Sequence, residues 1–268
     1  MGWNEKGDLV FQDKKTVQAD AVILALGGAS WPRLGSDGNW ADILRKQGID
    51  VTPMRPSNCG FIAPWSSIFG ERFAGEPLKS IIIYFADIRI QGEAMITRGG
   101  LEGGVIYALS SKIRDAIEVE GKALLSFDLR PGLSMEELTT RLNAPRGSQS
   151  SSTYLRKALG LSPLTISLMR ESLKGPLPTH PEVLASLIKN TKIAVTKTSD
   201  MARAISTAGG IAREEMTAEF MLKKKPGVFA VGEMLDWEAP TGGYLLQASF
   251  SMAFAAAKGA RDYVFLAK

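Results

Sequence analysis

Two stretches of this chain set glycines, carboxylates and free amides where an apolar run gives way to a loop. The first is Ile23-Leu24-Ala25-Leu26-Gly27-Gly28-Ala29-Ser30-Trp31-Pro32. A glycine pair after a buried strand lets backbone approach a ligand closely, at the carboxyl end of the sheet where open α/β folds bind. Taken alone, the pair reads more simply as a tight turn. The second stretch is Gly227-Val228-Phe229-Ala230-Val231-Gly232-Glu233-Met234-Leu235-Asp236. It continues as Trp237-Glu238-Ala239-Pro240-Thr241-Gly242-Gly243-Tyr244-Leu245-Leu246-Gln247-Ala248. Here a strand ends in glycine, two carboxylates come next, and Gly242-Gly243 opens a helix. Free N–H groups at a helix start, at the positive end of its dipole, suit an electron-rich or anionic ligand group. Asp236 can accept hydrogen bonds from a ligand hydroxyl. An aspartate cap and a glycine turn would explain each part separately, but the combination favours the functional reading.

These segments need a scaffold. The unbroken apolar run 21–26 reads as a parallel strand buried on both faces, and 228–231 as a second short buried strand. Leu9 to Phe11 and Thr16 to Gln18 flank a polar turn at Gln12-Asp13-Lys14-Lys15, the pattern of a β-hairpin. Asp37 is placed to cap a helix over 38–47, with Trp40, Ile43 and Leu44 on one face and Gly48 as its stop. Residues 50–130 then hold short strand-like runs at 60–63, 81–85, 88–90, 94–96 and 124–127, interrupted by a helix over 104–117. Residues 134–190 read as helical: Ser134 with Glu137 fits a capping box, and Ser162-Pro163 an N-cap with proline in the first turn. Pro176, Pro178 and Pro181 mark a turn. The last helix runs from Gly243 to about Phe265, and its small residues Ala248, Ser249, Ser251, Ala253 and Ala255 suit tight packing on a sheet.

Bulk properties exclude several classes. With 268 residues, 45% of them hydrophobic, the chain can bury one large core or two ordinary ones. No apolar run reaches the roughly 18 residues a membrane helix needs, and Met1 leads into polar residues, so a cytoplasmic protein without a membrane partner is expected. Cys59 is the single cysteine and His180 the single histidine. A His-clustered metal site and a Ser-His-Asp triad are therefore not expected. Net charge is +4, and the one tight basic run, Lys223-Lys224-Lys225, has no interleaved aromatics. It reads as a solvated turn, and no nucleic-acid partner is expected.

The second stretch resembles the carboxy-terminal FAD motif of the HI0933-like (YhiN/BaiN-type) flavoproteins, which are NAD(P)/FAD-dependent oxidoreductases. Gly232, Glu233, Asp236, Gly242, Gly243, Tyr244 and Gln247 match that pattern, while Leu245 stands where the family usually has asparagine. The first stretch resembles a second family motif through Gly27, Gly28, Ser30, Pro32, Gly35 and Ser36, with Leu26 in place of a threonine. Thr207-Ala208-Gly209-Gly210-Ile211 resembles the family's return into the flavin domain, and residues 97–104 resemble a segment of its β-rich insertion.

The resemblance implies an α/β fold: a partial, three-layer FAD-binding dinucleotide fold with an inserted β-barrel-like subdomain and a small helical subdomain. The expected boundaries are 1–50 and 201–268 for the flavin domain, 51–133 for the β-rich insertion and 134–200 for the helical one. It implies FAD as cofactor, NAD(P)H as electron donor and a small unsaturated organic molecule as substrate. Cofactor contacts are implied at Gly27, Gly28, Gly232, Glu233, Asp236, Thr241, Gly242, Gly243, Tyr244, Leu245 and Gln247. Asp236 is expected at the ribityl or pyrophosphate region, and the amides of residues 243–245 at the flavin pyrimidine edge.

No G-x-G-x-x-G follows a strand near residue 1. The resemblance places that fingerprint in an upstream βαβ unit, so an amino-terminal truncation is expected, with FAD bound weakly or not at all and self-association through exposed sheet edges. No catalytic acid or base is legible: Tyr84, Tyr107, Arg98 and Glu102 read as structural or surface residues, His180 as an exposed loop residue and Cys59 as buried. The competing reading is a non-catalytic remnant or binding module that keeps the fold without stable FAD. A methyltransferase built on the first stretch leaves the second unexplained.

Overall fold

The computed structural model describes residues 2–11 and 13–266. The chain divides into two compact units, Met1–Cys59 with Asp200–Lys268, and Gly60–Ser199.

The first unit opens with β1 (Gly2–Trp3), β2 (Leu9–Val10) and β3 (Thr16–Val17), an antiparallel sheet in that order. The expected hairpin is β2 and β3; Gln12 of its turn lies outside the described residues. β4 (Val22–Leu24), α1 (Trp40–Arg45) and β5 (Val51–Ser57) come next. Helix α1 is shorter than the 38–47 expected, and Asn39, not Asp37, precedes it. The Asp37 carboxylate is taken by Asn39, accepting from its backbone N–H at 3.1 Å and its side-chain amide at 2.6 Å. Trp40, Ala41 and Leu44 are the residues α1 buries.

The second unit contains β6 (Phe61–Ile62), α2 (Ser67–Phe73), β7 (Pro77–Phe85), β8 (Ile88–Thr97), β9 (Gly100–Glu102), α3 (Gly104–Ala108), α4 (Ser110–Glu120) and β10 (Ala123–Asp128). It ends with α5 (Met135–Leu142), α6 (Ser151–Leu159), α7 (Pro163–Leu173), α8 (Pro181–Lys189), β11 (Thr191–Val195) and β12 (Lys197–Thr198). The runs at 88–90 and 94–96 are one strand, β8, and the helix expected over 104–117 is two, broken at Leu109, which is buried. The capping box at Ser134 and Glu137 is present, as is the Ser162 cap ahead of Pro163.

Seven strands pair in the order β11-β10-β7-β8-β9-β6-β12. This order is linear, and a closed barrel is not shown. The terminal strands β11 and β12 are nonetheless joined by Thr196 alone, so one short run serves β10 with its first half and β6 with its second. Phe61, Ile83, Ile96, Leu101, Leu125 and Phe127 are buried in this unit, each contributing about 1.5–3 kcal/mol relative to exposure.

The chain returns to the first unit with β13 (Ser206–Ile211), β14 (Val228–Ala230) and α9 (Tyr244–Leu266). β13 pairs antiparallel with β5, a strand hidden in the sequence by its two prolines, Pro53 and Pro56. β4 pairs parallel with β14, Val22 opposite Val228. Residues 220–222 cover the far side of β14: Ala230 N donates to Phe220 O at 3.0 Å and Leu222 N to Val228 O at 2.8 Å. β4 has no second strand neighbour among the described residues, and Ile23 is 42% exposed. The run 21–26 is thus not buried on both faces. Ile23 shares a sheet face with Phe229, which packs under Ala256 and Ala260 of α9. That one helix covers Phe229 but leaves Ile23 open, and α9 itself exposes Leu246, Phe250 and Phe254.

The lysine run is anchored rather than merely solvated. Lys224 pairs with Glu215 at 2.5 Å, Lys223 Nζ donates to Glu214 O, and Lys225 lies 4.5 Å from the centre of the Trp3 ring.

Gly100 sets a sharp test of the seven-stranded sheet. A Cβ there would lie 1.8 Å from Phe61 O, where neither backbone can yield. Gly100→Ala is expected to cost about 3 kcal/mol or more, the upper range for overpacking. Chemical denaturation measures it, and a loss below about 1 kcal/mol contradicts the β6–β9 register.

Candidate functional site

Three of the glycine-bearing segments meet in the first unit. Thr207, the second residue of β13, joins them. Its Oγ1 accepts from Ala29 N at 2.9 Å and from Ser30 N at 3.2 Å, and its own N–H donates to Glu233 Oε1 at 3.2 Å. A Cβ on Gly28 would lie 2.4 Å from Thr207 Oγ1, so Gly28 is demanded by this approach. Gly27 turns the chain at φ 73°, and its carbonyl accepts from Trp40 Nε1 at 2.9 Å. Gly210 adopts φ 129°, and a Cβ there would meet Met234 O at 2.5 Å. Asp236 N donates to Ile211 O at 2.9 Å, extending the return strand alongside the second junction.

Glu233 is partly buried, and burial pushes its carboxyl above the usual carboxylate range, while the Thr207 N–H pulls it back only in part. Around it the loop to α9 is tied down. Ser57 Oγ donates to Glu238 Oε2 at 2.8 Å, and Asn58 Nδ2 donates to Ser206 Oγ at 2.7 Å and Ala239 O at 2.8 Å.

Thr241 sits in the bend before α9. Gly242 and Gly243 take φ of 116° and 92°. Nothing lies within 4 Å of where a Cβ on Gly243 would be, so conformation, not space, requires glycine there. α9 starts at Tyr244, and Gln247 N donates to Gly243 O at 3.0 Å to close the first turn. The amides of Tyr244, Leu245 and Leu246 have no acceptor among the described residues. Tyr244 is exposed, and the Gln247 side chain reaches only Ser251 Oγ, at 3.4 Å.

A cavity of about 600 Å3 opens in the same unit, lined by Asp236, Arg213, Phe220, Trp237 and Met252 among others. Of the residues singled out in the sequence as cofactor contacts, Asp236 lines this cavity. Gly28 and Glu233 lie in the network around Thr207, Gly27 and Gly232 precede them in the chain with their carbonyls bonded to Trp40 Nε1 and Trp237 Nε1, and Thr241 to Gln247 form the helix start. Thr207 as the central acceptor, Arg213 and Asn58 were not legible as site residues. Thr207 carried one signal, its place two residues before a glycine pair.

Arg98 lies in the β8–β9 turn and Glu102 ends β9 in the second unit, which also holds Tyr84 and Tyr107. His180 is the exposed residue before α8, and Cys59 is buried. No group of three or more His, Cys, Asp or Glu among the described residues is arranged to hold a metal. No helix among them is long and apolar enough to cross a membrane.

Residues 2–259 match the HI0933-like protein Rossmann domain. The chain belongs to this family. The expected α/β class holds with it. The chain is 25% identical to a 3-dehydro-bile acid delta(4,6)-reductase of Clostridium scindens, over 96% of its own length and 66% of that protein's. It is 24% identical to ribosomal RNA dihydrouridine synthases of Escherichia coli and Haemophilus influenzae, each over 95% of its own length and 64% of theirs. The chain thus spans about two thirds of the length of these relatives.

The threonine junction can be tested directly. Thr207→Val keeps the shape but strands two amides, one of them on the buried Ser30, at about 1–3 kcal/mol each. Thr207→Val is expected to lower unfolding free energy by about 2–4 kcal/mol, and Thr207→Ser to retain most of it. Urea unfolding reads both, and equal stability for all three proteins contradicts the network.

Proposed function

We propose that this chain forms the flavin-holding part of an FAD-dependent oxidoreductase that moves hydride between a nicotinamide and an unsaturated organic substrate. The single observation that carries this reading is the start of α9: three unpartnered amides behind two left-handed glycines, directly after the segment that carries Asp236. Such a start offers fixed donors to a polar, electron-rich ring edge or to an anion. The glycine approaches at Gly28 and Gly210 leave backbone, not side chains, at the ends of β4 and β13.

In this reading the amides of residues 243–245 would hold the flavin pyrimidine edge, and Asp236 would hold the ribityl or pyrophosphate region. Gly27, Gly28 and Gly232 let backbone pass close to the adenosine and pyrophosphate. Glu233, tied to Thr207, holds the three segments in register. The flavin supplies the hydride chemistry when bound, and the chain's amides favour negative charge on its reduced form. A reductase among the similar proteins supports the reaction class.

The open edge of β4 bears on affinity. With Ile23 and the α9 stripe of Leu246, Phe250 and Phe254 exposed, one side of the site has no wall among the described residues. Saturable but weak FAD binding by this chain is therefore expected. FAD titration followed by flavin fluorescence tests it. Asp236→Ala is expected to weaken binding by about tenfold or more, the worth of one charge-assisted hydrogen bond. Absence of saturable binding, or binding indifferent to Asp236→Ala, contradicts the assignment.

The same apolar stripe and strand edge invite pairing with another chain. Light scattering over a concentration series is expected to show mass rising above the monomer, and Phe250→Ser with Phe254→Ser to reverse it. A monomer at every concentration contradicts this part of the reading.

A further inference from the structure

A second cavity, of about 450 Å3, lies in the other unit, lined by Ser80, Ile82, Arg89, Gln91, Arg130 and the turn at 131–133. Arg89 and Gln91 stand on β8 directly opposite Tyr84 and Ile82 of β7, which sets both on one face of the sheet. Ser80 holds φ 54° at the irregularity in β7, where the register shifts between Leu78 and Ile81. Arg130 comes from the segment after β10 and is held by its backbone: its N–H donates to Asp128 Oδ1 at 3.0 Å, and its carbonyl accepts from Lys189 Nζ at 3.4 Å. Lys189 also pairs with Asp128 at 2.5 Å, so the Asp128 carboxylate is already neutralised. Glu93, next along that face of β8, does not line the cavity.

Neither guanidinium has a carboxylate partner among the described residues, and no acidic residue is in the cavity wall. Arg130 Nε is buried without any hydrogen-bond partner among them. A Cβ on Gly160 would come within 3.2 Å of Arg130 Nη2, so glycine at that helix end leaves room for the guanidinium. A guanidinium without a carboxylate partner has an anion as its natural complement.

We propose that this cavity binds the phosphate group of a small organic phosphate ester. Two positive charges balance a phosphate dianion, whereas a carboxylate satisfies one guanidinium fork and leaves the other unpaired. Ser80 and Gln91 add neutral donors at the rim. The volume lies within the roughly 300–1,000 Å3 of small-molecule sites, so the ester's organic part fits beside its phosphate. Nothing in this site depends on the flavin reading.

Isothermal titration of the full chain at low salt with phenyl phosphate, and with benzoate as the matching carboxylate, tests it. Phenyl phosphate is expected to bind one to one, and benzoate at least about tenfold more weakly. Arg89→Gln and Arg130→Gln are each expected to weaken phenyl phosphate by about tenfold, Arg130→Lys by less, and Lys112→Gln on α4 not at all. Thermal unfolding checks that each variant folds, and if Arg130→Gln does not, the exposed Arg89→Gln carries the test. No binding, equal affinity for benzoate, or affinity unchanged by Arg89→Gln overturns the proposal.

Discussion

The first unit depends on one hydroxyl. Thr207 Oγ1 accepts from two successive amides, Ala29 and Ser30, while the backbone N–H of the same residue donates to Glu233. Three segments far apart in sequence are thereby fixed within a few ångströms of one another. The approach is close enough that residue 28 can carry no side chain. Buried amides without acceptors are costly, so the arrangement leaves the chain little freedom at the point where the segment after β4, the start of β13 and the segment after β14 come together.

That constraint sets the path of the neighbouring backbone. The return strand continues past Gly210 to bond Asp236, and the loop after it is held by Ser57 and Asn58. The loop delivers two left-handed glycines and then α9. A helix that begins after such a turn shows its first amides to whatever lies beyond them. The raised affinity of Glu233 for its proton belongs to the same design, since burying its carboxyl is what brings it to the Thr207 amide.

The features legible in the sequence are those imposed locally. Gly27, Gly210, Gly242 and Gly243 adopt positive φ, so their identity marks a backbone conformation wherever the chain goes. The caps at Ser134 and Ser162 are equally local. Features that were not legible depend on partners distant in sequence. β5 carries two prolines and looks unlike a strand, yet it pairs with β13, far along the chain, as Ser57 opposite Ser206 shows. The run 21–26 reads as a buried strand, but an apolar run by itself says nothing about whether its neighbours are present, and Ile23 is exposed. Asn39 precedes α1 without a side-chain capping bond, and the Asp37 carboxylate is spent on the Asn39 amide two residues on rather than on the first turn of the helix.

If the start of α9 and the Thr207 network together face a flavin, FAD must shield both at once. Amide hydrogen exchange of the chain, with and without saturating FAD, reads this residue by residue. Added protection is expected at residues 27–30, 232–236 and 243–247 alone, with the helices α5 to α8 unchanged. Protection that appears in α5 to α8 while residues 243–247 exchange as before would contradict it.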